Sequence, residues 1–106
     1  MSETLDRLFA TIASRKDGDP NTSYTAKLLA AGVEKCAKKF GEEATEAVIA
    51  AIQKDKAELA KESADVLYHL LVLWAASGIT PHDVYAMLQS REGQSGLEEK
   101  ASRVKS

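Results

Sequence analysis

The stretch Lys38–His69, KKFGEEATEAVIAAIQKDKAELAKESADVLYH, decides how this chain folds and where its chemistry sits. Val33, Cys36, Ala37, Phe40, Ala44, Ala47, Val48 and Ala51 recur at helical spacing and predict a long helix from Val33 to about Gln53 with one apolar face. Lys54–Asp55 reads as a reversal, with Asp55 as an N-cap and Glu58 at the matching capping-box position. A second long helix then runs to about Ser77, where Gly78 ends it as a C′ residue. Two long antiparallel helices are therefore expected at the centre of an all-α fold.

Carboxylates cluster on both. Glu42, Glu43 and Glu46 lie together on the first helix, with Glu43 and Glu46 at i,i+3. On the second, Glu62 and Asp65 repeat that spacing and His69 follows one turn later. Glu46 lies eight residues before Lys54 and Glu62 seven after Asp55, so the two come level across the hairpin, and Glu43 comes level with Asp65 and Val66. At about 1.5 Å of rise per residue the mismatch is a fraction of a turn, and four carboxylates can converge.

Their setting gives that convergence meaning. Beyond Asp65, Val66, Leu67, Leu70, Leu71, Val72, Leu73 and Trp74 surround the second helix with apolar side chains, the pattern of a buried helix. Glu58, Glu62, Asp65 and His69 form its one polar stripe. An unpaired ion buried in a bundle costs several kcal/mol. A divalent cation removes that cost, and all-oxygen ligands select a hard ion, Mg²⁺ or Mn²⁺, over zinc. Read alone, E-E-x-x-E is an ordinary solvated face paired with Lys35, Lys38 and Lys39; Glu62 and Asp65 at matching height favour the converging site. His69 reads as a core histidine donating to Asp65 rather than as a ligand.

Outward from the hairpin, Leu5, Leu8, Phe9 and Ile12 predict a short amphipathic helix near Ser2–Ala13. The segment RKDGDPNTS, Arg15–Ser23, is a loop. Ser23 or Thr22 caps a short helix to Ala31, with Gly32 as its stop. Thr80 caps a last helix near Pro81–Ser90, with Pro81 at its first position. One domain over residues 1–92 and a polar tail over 93–106 are expected.

The 106 residues carry 17 alanines and only six aromatics, a composition that makes helices easily and fills volume poorly. A second copy is expected to complete the core. With 14 Lys+Arg against 16 Asp+Glu, no basic stripe is available for nucleic acid. The one cysteine, Cys36, excludes an internal disulfide and a cysteine-based zinc site. Charges through the first 20 residues exclude a secretory leader, and the longest apolar run, Val66–Ala76, is too short for a membrane span. A soluble, cytoplasmic protein is the expectation.

E-E-x-x-E followed by E-x-x-D on the next helix resembles the signature of the all-α nucleoside triphosphate pyrophosphohydrolases. Over most of its length the chain more closely resembles the phosphoribosyl-ATP pyrophosphohydrolase family. The stretches that carry this are SYTAKLLAAG (Ser23–Gly32), KKFGEEATEAVIAA (Lys38–Ala51), ESADVLYHLLVLW (Glu62–Trp74), ITPHDV (Ile79–Val84) and the tail REGQSG (Arg91–Gly96).

The resemblance implies Mg²⁺-dependent hydrolysis of phosphoribosyl-ATP to phosphoribosyl-AMP and pyrophosphate, in the second step of histidine biosynthesis. It also implies a homodimer with a four-helix core. The cyclohydrolase fused to some relatives is expected here as a separate chain. Glu43, Glu46, Glu62 and Asp65 are the implied metal ligands, holding the ion against the triphosphate. Glu42 is a neighbour that orients them, a further ligand or the base that activates water. Lys39 meets a phosphate oxygen or pairs with Glu43. Tyr24, Lys27, Arg91 and Ser95 meet phosphates or ribose, or serve as an ordinary cap and surface charges. Two other functions stand beside this one. A house-cleaning pyrophosphohydrolase shares the acidic signature, though SYTAKLL and the SG of the tail disfavour it. A non-enzymatic helical dimerisation module leaves the acidic stripe unexplained.

Overall fold

A computed structural model describes residues 3–92, and the tail beyond, Ser95 included, lies outside the described residues. Five helices follow one another: α1 (Glu3–Ser14), α2 (Tyr24–Ala31), α3 (Val33–Ile52), α4 (Lys56–Ser77) and α5 (Pro81–Ser90). No strand occurs among the described residues.

Local chemistry sets the boundaries. Ser23 accepts from the Ala26 N–H and starts α2, and Asp55 accepts from the Glu58 N–H and starts α4. The reciprocal capping box expected at Asp55–Glu58 forms instead at Thr80–Asp83, where each side chain takes the other residue's backbone N–H. Gly32, at φ 97°, serves both as the end of α2 and the start of α3, and Gly78, at φ 77°, closes α4. Both lie in backbone that glycine adopts without strain.

The α3–α4 hairpin is the frame. α1 and α2 cover the C-terminal half of α4 and the start of α3, enclosing Ile12, Leu28, Cys36, Leu71 and Val72, each at most 2% exposed. The Cys36 thiol donates to the Leu28 carbonyl at 3.3 Å, and burial pushes its pKa up, so it packs as a small apolar group. Thr25 and Tyr68 share a hydrogen bond that ties α2 to α4, and the Tyr85 hydroxyl donates to Asp6 at 3.0 Å, tying α5 to α1.

The face of α3 that meets α4 differs from the expected one. Cys36 and Ala50 are buried, and with Glu43 between them they mark a seam that repeats every seven residues. The expected face centres about 90° away at 100° per residue. Val33, Ala37, Val48 and Ala51 on that side are exposed. Ala50 is buried in the seam, while its neighbour Ala51 is exposed. Nor does this chain alone bury α4 all round, since Leu67 is 42% exposed.

Candidate metal centre

In the seam between α3 and α4, one carboxylate oxygen each from Glu43, Glu62 and Asp65 lies within 4.8 Å of the other two. Glu62 is 8% exposed, while Glu43 and Asp65 are half-buried. The placement follows from helix geometry. Glu43 stands on the line joining Cys36 to Ala50, and the reversal at Lys54–Asp55 brings it level with both acids of α4. Glu46 lies about 60° round the helix from Glu43, on the exposed shoulder and outside the converging group. Glu42 is exposed too and pairs with Lys39 at 3.5 Å.

Among the described residues no lysine or arginine forms an ion pair with Glu43, Glu62 or Asp65. The pKa of Glu62 is raised, first by burial and then by its hydrogen bond to Glu58 and the nearby charges of Asp65, Glu58 and Glu43. A solvated acidic face neutralised by Lys35, Lys38 and Lys39 does not describe the site, because among the described residues Lys39 alone of the three forms an ion pair, and its partner is Glu42 rather than Glu43. An all-oxygen donor set, partly buried and short of cations, suits a hard divalent ion.

His69 differs from the expected core histidine. It is 6% exposed and makes no hydrogen bond to Asp65; its Nδ1 has no partner. Its ring is held edge-on by Tyr68 (centroids 5.0 Å apart) and by Tyr24 (6.2 Å). Burial lowers its pKa, Lys39 adds to that, and the charges of Glu43, Asp65 and Glu42 oppose it. Burial thus favours the neutral imidazole.

Three of the other expected site residues meet in one place. Tyr24, Lys27 and Lys39 line a groove between α2 and α3, with Leu28 and Ala31 as its apolar lining. Lys35 is the fourth polar member, a residue that in sequence suggests only ion pairing with the acidic run. It falls one turn before Lys39 on the same side of α3. Arg91 stands exposed at the end of α5 and does not line this groove. Ser95 is outside the described residues.

A helical hairpin with carboxylates converging from both arms fits the resemblance to the all-α nucleoside triphosphate pyrophosphohydrolases. Within that class the match is specific. The family model for phosphoribosyl-ATP pyrophosphohydrolase matches residues 5–92, and the chain belongs to this family. A phosphoribosyl-ATP pyrophosphatase of Paracoccus denitrificans is 63% identical over 99 residues, 93% of this chain and 92% of the relative. Relatives of the same name from Cereibacter sphaeroides (61% identical, 93% of this chain and 96% of the relative) and Paramagnetospirillum magneticum (58%, 98% and 95%) agree with it.

Proposed function

We propose that this chain hydrolyses phosphoribosyl-ATP to phosphoribosyl-AMP and pyrophosphate, the second step of histidine biosynthesis. The convergence of Glu43, Glu62 and Asp65 in a member of this family carries the reading. Those three residues would hold Mg²⁺, or Mn²⁺, with Glu46 on the adjoining shoulder as the fourth ligand. When bound, the ion supplies charge neutralisation on the departing pyrophosphate and polarises the phosphoanhydride. Glu42 and its partner Lys39 form the rim, where a carboxylate takes the proton of the attacking water or steadies the ligands beside it. Tyr24, Lys27, Lys39, Arg91 and Ser95 meet the substrate's phosphates and ribose.

A homodimer with a four-helix core is part of the proposal. Val48, Ile49 and Ile52 on α3 are exposed at 57%, 43% and 75%, with Leu67 of α4 at 42%. A second hairpin packed on these side chains would bury them. No single helix among the described residues is long and apolar enough to cross a membrane, which agrees with the cytoplasmic setting proposed for this step.

The test incubates the purified chain with Mg²⁺ and phosphoribosyl-ATP and measures phosphoribosyl-AMP and pyrophosphate. Both products should appear together and stop on chelation. Release from common deoxynucleoside triphosphates but not from phosphoribosyl-ATP would replace this reading with the house-cleaning one.

A further inference from the structure

The groove between α2 and α3 carries more positive charge than the described residues around it neutralise. Lys27, Lys35 and Lys39 line a cavity of about 220 Å³ beside Tyr24. Lys39 is occupied by Glu42. Lys27 and Lys35 form no ion pair among the described residues. Ammonium groups facing one cavity repel each other unless an anion lies between them.

The groove also adjoins the carboxylate site without coinciding with it. Tyr24 lies on the groove and touches His69, which feels Glu43 and Asp65. Lys35, however, precedes Glu43 by eight residues, about 12 Å along the helix axis. Helix side chains lean toward the N-terminus, which carries the Lys35 ammonium further from the acids. An anion gripped by Lys27 and Lys35 is therefore a different group from the phosphates over Glu43, Glu62 and Asp65.

We propose that this groove is a second phosphate subsite, in which Lys27 from α2 and Lys35 from α3 grip the 5-phosphate of the substrate's phosphoribosyl arm. This rests on phosphoribosyl-ATP being the substrate. That remote phosphate monoester is what phosphoribosyl-ATP has and ATP lacks, so the two lysines set specificity and touch no reacting atom. Two point charges on flexible stems suit a phosphate that must be held but not transformed.

Ribose 5-phosphate, titrated calorimetrically into the full chain in the presence of a chelator, tests the subsite without turnover. Wild type and a control, Lys56→Gln, should bind it alike. Lys27→Gln and Lys35→Gln should each weaken binding about tenfold, the loss of one charge-assisted contact. All three lysines are exposed, and unchanged thermal melts confirm that the variants fold. In turnover, KM for phosphoribosyl-ATP should rise by a similar factor with kcat unchanged, and affinity for Mg²⁺–tripolyphosphate should hold. Undiminished ribose 5-phosphate binding in both variants overturns the proposal. Equal loss of tripolyphosphate affinity also overturns it, by assigning the groove to the triphosphate. Lysine-dependent binding of ribose 5-phosphate by a chain that releases no pyrophosphate would uphold the subsite and remove the reaction proposed above.

Discussion

The two ends of the α3–α4 hairpin are built from the same kinds of residue and finished differently. At the end covered by α1 and α2, Leu71 and Val72 are wholly buried and Cys36 is 1% exposed. Toward the Lys54–Asp55 reversal the apolar residues Val48, Ile49 and Ile52 stand in solvent. Between the ends lie Glu43, Glu62 and Asp65. One end is a complete core. The other is an open apolar surface, the one proposed above to take a second chain, and the carboxylates, buried or half-buried, sit at the boundary between the two.

The largest effect should come from that boundary. Asp65→Asn should lower turnover about a hundredfold or more, because a carboxylate proposed as a ligand to Mg²⁺ is lost. Glu46→Gln, on the shoulder, should cost less. Pyrophosphate release measures both, and full activity in both would remove the ligand assignment. Stability should move the other way. The Glu62 carboxyl is held above its ordinary 4.5, so its contribution is fully present below pH 4.5 and lost as pH rises through the raised value. His69 runs oppositely: its contribution is present above 6.5 and lost as pH falls through its lowered value. Comparing Glu62→Gln with wild type cancels the histidine. Without metal the variant should melt higher at neutral pH, and the gap should close toward pH 4.5. Added Mg²⁺ should raise the melting temperature of wild type and not of the variant.

A middle-sized effect separates the two ends directly. Leu71→Ala should destabilise the chain by about 2–5 kcal/mol in urea unfolding, through the cavity it leaves. Ile52→Ser, at 75% exposure, should change the stability of the single chain by less than about 0.5 kcal/mol. It should instead weaken self-association, seen by sedimentation as a shift toward monomer. An equal unfolding cost for the two variants would break the contrast between a closed end and an open one.

The same contrast explains what sequence could show. Caps at Ser23, Asp55 and Thr80 and the stop at Gly78 were legible because each is a bond between near neighbours. The convergence of Glu43, Glu62 and Asp65 was legible because an antiparallel hairpin converts residue counts into heights. Helix rotation was not. An alanine-rich helix with apolar residues on two sides does not say which side meets its own neighbour, so its spacing alone puts Ala51 and Val48 on the apolar face and Glu46 within the converging group. Lys35 is not legible as a groove residue, because a lysine facing a groove and one facing open water look alike in sequence. His69 looked satisfied because a carboxylate one turn earlier is within reach only for some side-chain orientations, and two tyrosine rings hold it in another.

The smallest effect concerns the caps themselves. Removing either the Ser23 or the Asp55 side chain deletes the same kind of bond, worth about 1 kcal/mol. Ser23 starts the helix that carries Ala26 and Leu28 into the closed core, 3% and 2% exposed. Ser23→Ala should therefore lower global stability by that full amount, because α2 opens only when the core does. Asp55 starts α4 beside exposed residues of the reversal. In an Ile52→Ser background, where association is weakened, Asp55→Ala should speed amide exchange through the first turn of α4 and leave the melting temperature nearly unchanged. With association restored, the same cap loss should register in the melt, because the second chain then couples the reversal to the whole fold. Equal melting shifts for Asp55→Ala in the two backgrounds would mean that the reversal is already part of the closed core, and that the exposed residues of α3 are only surface.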